Sequence, residues 1–152
     1  MLISLALFSM AQKVVIKYDA HLKAPKTDVS GILVHLSTDS SNRFVFVTKL
    51  GLKLFDLEVG KTDFNCIVHY FSPIFKNKKR LTGVAKELFV LAFDDKAAQE
   101  KNSKVTRHKI PDGYRKNSFG VFGKRVSVDL LNYHTLLRCK FYPVSFELQI
   151  PY

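Results

Sequence analysis

The chain has no tryptophan, and only two cysteines in 152 residues. Cys66 and Cys139 are too few for a disulfide scaffold and show no CxxC spacing. Both fall in strand-like runs and read as small buried apolar side chains; in an oxidising envelope they could pair only if those strands are neighbours. Catalytic motifs are missing: there is no GxSxG, HExxH, P-loop or GxGxxG. The five histidines are scattered, with none paired at metal-ligand spacing, so neither a metal nor another cofactor is expected. His35 and His69 lie in strand-like runs that could bring them together in a sheet. No apolar run approaches the roughly 20 residues of a membrane helix. Carboxylates are also scarce. Asp and Glu number 13 against 24 Lys and Arg, for a formal charge of +11. That balance favours acidic partners such as nucleic acid, anionic lipid head groups or polyanionic glycans, without choosing among them.

What is present is a globular composition, 47% hydrophobic and 12% aromatic. The length suits one ordinary domain with a single core. Alternating runs at Val14–Leu22, Ser30–Leu36, Arg43–Thr48, Leu52–Val59 and Phe64–Phe71 read as five strands. The gaps between them, such as Asp39-Ser40-Ser41-Asn42, hold turn residues that suit hairpins. The period then changes. Leu81, Val84, Ala85, Leu88, Leu91 and Ala92 follow helical spacing and predict a helix over about 78–93, capped by Asn77. Its first turn, Lys78-Lys79-Arg80, has the wrong sign for the helix dipole and is a candidate anion or head-group site. The polar stretch from Asp94 to Lys104 reads as a loop or short helical extension. A strand follows over Val105–Ile110, a turn at Pro111-Asp112-Gly113, and strand patterns return from Ser118. The expected fold is α+β: a curved, mostly antiparallel sheet, an unclosed half-barrel, with one main helix covering one face and three or four strands after it.

The start, MLISLALFSMAQ, carries no charge through Ala11. Leu2–Met10 has the length of a signal-peptide apolar core, and Ser9-Met10-Ala11 supplies small residues before a cut at Gln12. The basic n-region is missing. Residues 1–11 are thus read as a signal peptide and 12–152 as a single β-rich domain, which places the protein in the periplasm or outside the cell.

Asp56 and Glu58 share one strand face and could pair as acid and base; the plainer reading is the wet face of a hairpin. Basic residues are interleaved with aromatics at Tyr70–Arg80 and Tyr114–Phe119. No RNP-like or helix-turn-helix pattern accompanies them, which argues against nucleic acid. Gly31-Ile32-Leu33-Val34, Arg43-Phe44-Val45-Phe46-Val47-Thr48 and Gly51-Leu52-Lys53-Leu54-Phe55-Asp56 resemble small envelope proteins of Gram-negative bacteria related to the lipoprotein-carrier half-barrel. Phe141–Leu148 resembles a late strand-Pro-strand element of such sheets, with Val144 where Lys or Arg often follows the proline. The resemblance implies an open sheet with a helical lid around an apolar cavity. It points to a non-catalytic exported protein binding a lipid or a lipoprotein acyl chain. The candidate cavity residues are Phe44, Phe46, Leu54 and Val68 on the sheet and Leu81, Val84, Leu88 and Leu91 on the helix. An ordinary filled core is the competing reading of the same residues. The alternative function is a basic module for anionic polymers, anionic membrane surfaces or other envelope partners.

Overall fold

The computed structural model describes residues 13–94, 104–120, 123–139 and 144–149. Ten strands form one antiparallel sheet, and one helix lies across it. The first half of the chain is a meander: β1 (Val14–Ala24), β2 (Thr27–Ser37), β3 (Ser41–Thr48), β4 (Lys53–Gly60) and β5 (Cys66–Phe71). The helix α1 (Lys78–Phe93) follows. The second half is another meander: β6 (Lys104–Ile110), β7 (Gly113–Gly120), β8 (Gly123–Leu131), β9 (His134–Cys139) and β10 (Ser145–Gln149). β10 pairs with β1, so the sheet order is β5-β4-β3-β2-β1-β10-β9-β8-β7-β6. The sheet does not close into a barrel; its edges are β5 and β6.

The chain leaves one edge at β5, crosses as α1, and resumes at the other edge as β6. The helix touches β4 and β5 on one side and β7, β8 and β9 on the other. A sheet can contact one helix from both halves only by curving around it. Alternation aims one face of each strand inward: Tyr18, Ala20 and Leu22 of β1, Phe44 and Phe46 of β3, Val126 and Val128 of β8, and Phe146 and Leu148 of β10 are all buried. Gly31 of β2 lies where a Cβ would overlap the carbonyl oxygen of Val47, beside the bulge between Phe46 and Val47. Only glycine admits so close an approach of two strands.

The helix spans the expected range, but its start differs. Asn77 sits in the left-handed region (φ 58°) and its side chain makes no cap. Instead its carbonyl oxygen accepts from the amides of Arg80 and Leu81. Five strands follow the helix, because β7 begins at Gly113, before the pattern from Ser118. Its run Tyr-Arg-Lys-Asn-Ser hides the strand period. Lys116 and Ser118 face inward opposite Val128 and Val126, while Arg115 and Asn117 face outward. Residues 1–11, most of the 94–104 stretch, and Phe141–Pro143 lie outside the described residues.

Asp56 is not on a wet face. Its side chain is 3% exposed although it points to the outer surface of the sheet. Arg43 covers it with two hydrogen bonds, Nε to Oδ1 at 2.7 Å and an Nη to Oδ2 at 2.8 Å, and Lys53 Nζ lies 3.4 Å away. The other half of the sheet repeats the device, with Arg115 clasping Asp129 at 2.6 and 2.8 Å. Glu58 accepts from Ser41 at 2.7 Å and pairs with His69 at 2.7 Å. These hydrogen bonds, Arg43 for Asp56 and Ser41 for Glu58, hold both carboxyls below the usual range.

Candidate functional site

The two halves of α1 meet the sheet differently. Its C-terminal half is closely packed: Phe89 stacks on Phe44 at 4.4 Å, and Phe93 lies 5.5 Å from Phe44 and 5.7 Å from Tyr18. His35 of β2 fits between Phe44, at 4.7 Å, and Phe93, at 4.6 Å. Its Nε2 donates to Asn42 Oδ1 at 2.9 Å, and its buried Nδ1 has no partner. Burial holds this imidazole below its ordinary range.

The N-terminal half lies over a cleft. Leu81, Val84, Ala85 and Leu88, at helical spacing, form its roof. Leu22 and Ala24 of β1, Phe55 of β4, Phe71 of β5, and Val144 and Phe146 at β10 form floor and walls, and Phe75 closes one side. Phe55 and Phe71 stand 6.3 Å apart, Phe71 and Phe75 5.1 Å, and Phe55 and Phe146 5.8 Å. All eleven lining residues are apolar. The free volume for water-sized molecules is about 30 Å³, room for about two waters by size. Its lining offers no proton donor or acceptor, so the cleft can exclude water and hold hydrocarbon.

Three of the candidates drawn from the sequence, Leu81, Val84 and Leu88, meet in this cleft. Phe44, Phe46, Leu54 and Leu91 are buried in the filled core instead. Val68, on the edge strand β5, is 44% exposed and is not part of the lining. The other eight lining residues, Phe55 and Ala85 among them, are not cavity candidates in the sequence. Alternation marks Leu22 and Phe146 as inward-facing, but nothing local shows that β1 and β10 are neighbours beneath the start of the helix. Lys78, Lys79 and Arg80 are exposed and directly precede Leu81.

His35 and His69 do not approach each other, since β2 and β5 are separated by two strands. Cys66 and Cys139 are unpaired and partly buried, and their strands are not neighbours; burial pushes the Cys66 thiol up. Among the described residues no cluster of His, Cys, Asp or Glu could hold a metal ion, and no helix is long and apolar enough to cross a membrane. No protein-family model matches the chain, and no curated protein matches it either.

Proposed function

We propose that the protein is an exported, non-catalytic carrier or sensor of an apolar ligand, a lipid or a lipoprotein acyl chain, held between α1 and the sheet. The observation that carries this reading is the all-apolar cleft beneath the N-terminal half of the only helix among the described residues. An acyl chain needs more room than about two waters, so loading lifts that half of α1 away from Phe71 and Phe75. The helix is built to yield there. Its first turn has no acidic residue and no side-chain cap, features that together forfeit about 1–2 kcal/mol of helix stabilisation. The open antiparallel sheet with one helix across it agrees with the architecture that the resemblance to lipoprotein carriers implies. The apolar run Leu2–Met10, with the small residues Ser9 and Ala11 at −3 and −1 of a cut before Gln12, supports export.

The test is direct. Protein purified without detergent from envelope fractions should begin at Gln12 and release lipid on solvent extraction. A fluorescent fatty acid should then bind the stripped protein, and Ala85→Leu, which fills the roof of the cleft, should weaken that binding by about tenfold or more while the fold survives. Recovery of no lipid, together with no uptake of the probe, would sink the reading.

A further inference from the structure

Four of the segments at one end of the sheet surround the start of the helix. The β1–β2 turn lies there, because Ala24 pairs with Thr27. The β3–β4 turn joins it through the bond from Lys49 N to Ser30 O, and the β5–α1 connection through the bond from Ser72 N to Leu54 O. The first turn of α1 completes the rim. These segments, residues 24–27, 48–53 and 72–80, contain no Asp or Glu. Lys26, Lys49, Lys76, Lys78 and Lys79 are all exposed on them, and Lys53 and Arg80 add to the charge. Between the cations stand three bare aliphatic side chains: Leu50 is 87% exposed, Ile74 57% and Leu52 62%. The opposite end has mixed charge: the β2–β3, β4–β5 and β6–β7 turns there carry Asp39, Asp63 and Asp112 as well as Lys61.

We infer that this rim docks the protein on an anionic lipid bilayer, with Leu50, Leu52 and Ile74 entering the interface and the surrounding lysines facing head groups. A polyanion would use the lysines and leave the aliphatic tips in water. An apolar protein surface would use the tips and leave same-sign charge uncompensated. An anionic bilayer satisfies both, since interfacial binding sums buried apolar area and attraction to acidic lipid. Ala24, Phe75 and Leu81 of the cleft lining lie on or next to the same segments, so docking brings the cleft close to the membrane. The inference goes beyond ligand binding and stands on the rim alone.

Vesicle co-sedimentation tests it with the full folded chain. Binding is expected to vesicles in which about a third of the lipid is phosphatidylglycerol, to fall about tenfold or more between roughly 50 and 300 mM salt, and to be weak on pure phosphatidylcholine. Neutralising the rim (Lys26→Gln, Lys49→Gln, Lys76→Gln) should cost about tenfold or more, and neutralising as many cations elsewhere (Lys13→Gln, Lys17→Gln, Lys109→Gln) less than about threefold. Leu50→Ser, Leu52→Ser and Ile74→Ser together should weaken vesicle binding but leave heparin binding unchanged, with melting curves confirming each fold. Equal losses from the two neutralised sets, or vesicle binding indifferent to the three serines, would overturn the inference and leave only a general affinity for polyanions. Fatty-acid uptake by the rim variants, measured without vesicles, reads the cleft separately, so either idea can fail alone.

Discussion

At the scale of single residues, the inner face holds an imidazole in a place that disfavours its charge. His35 is buried between Phe44 and Phe93, with one nitrogen satisfied by Asn42 and the other bare. Desolvation lowers its pKa from 6.5, the Asn42 bond acts in the opposite direction, and Lys61 adds to the lowering. The unfolded chain therefore takes up this proton first as the pH falls. The contribution of His35 to stability is complete above the ordinary imidazole range and is lost as the pH drops through it. His35→Gln keeps a donor for Asn42 and cannot titrate. Between about pH 7.5 and 5.5 the native melting temperature should fall more than that of the variant. Parallel curves would show that the imidazole titrates alike in the folded and unfolded chains, and would sink the claim that burial disfavours its charge. Asp56 works in a lower window. Its carboxyl is held down by the Arg43 bond, so the stability it provides is present above the usual carboxylate range and lost below it.

At the scale of elements, α1 is the least well-terminated part of the fold. Its buried stripe, Leu81, Leu88, Phe89, Leu91 and Ala92, holds it to the sheet, while Lys78, Lys79 and Arg80 oppose its dipole. Gly83 interrupts it on the exposed side, and a Cβ there would meet nothing within 4 Å. Gly83→Ala should therefore stabilise the protein by about 0.5–1 kcal/mol in denaturant melts. Lys79→Glu should add about 0.3–1 kcal/mol by restoring the favourable sign at the helix start. The second substitution also removes a rim lysine, so it should raise stability while lowering affinity for anionic vesicles. A loss of stability from Gly83→Ala would mean that the helix packs differently around that turn.

At the scale of the whole molecule, an open sheet has two edges, and they are unlike. β6 presents Arg107, His108 and Lys109 as exposed side chains, the usual guard against pairing with another chain. β5, Cys-Ile-Val-His-Tyr-Phe, has no Lys, Arg, Asp, Glu or Pro, and Ile67, Val68 and Tyr70 are exposed on it. The net charge of +11 supplies general repulsion that compensates for this edge. Aggregation at high protein concentration should accordingly increase with salt, and Val68→Lys should suppress it with a change in stability within about 0.5 kcal/mol. Light scattering against salt concentration measures both. Salt-independent scattering, or no relief from the lysine, would place the contact elsewhere.

Local pattern determined much of this protein. Period-two alternation and turn residues set the first five strands, and the change of period at Leu81, Val84, Ala85 and Leu88 set the helix and its range, because each is a short-range consequence of which side chains must leave water. β7 was hidden because inward Lys116 and Ser118 break the apolar alternation, and Asp56 looked wet because the Arg43 that covers it comes from a neighbouring strand. Tertiary structure alone decided which apolar residues are core and which are cleft. Phe44 and Leu88 are equally buried by pattern, yet Phe44 meets Phe89 in stacked contact while Leu88 overlooks a gap bounded by Phe55, Phe71 and Phe146. That difference depends on the angle at which α1 crosses the sheet and on β10 closing against β1, a pairing of residues more than a hundred positions apart. Burial is favoured in proportion to apolar area wherever it occurs, so composition specifies that these side chains turn inward; only the assembled surfaces decide whether they fill the space they enclose.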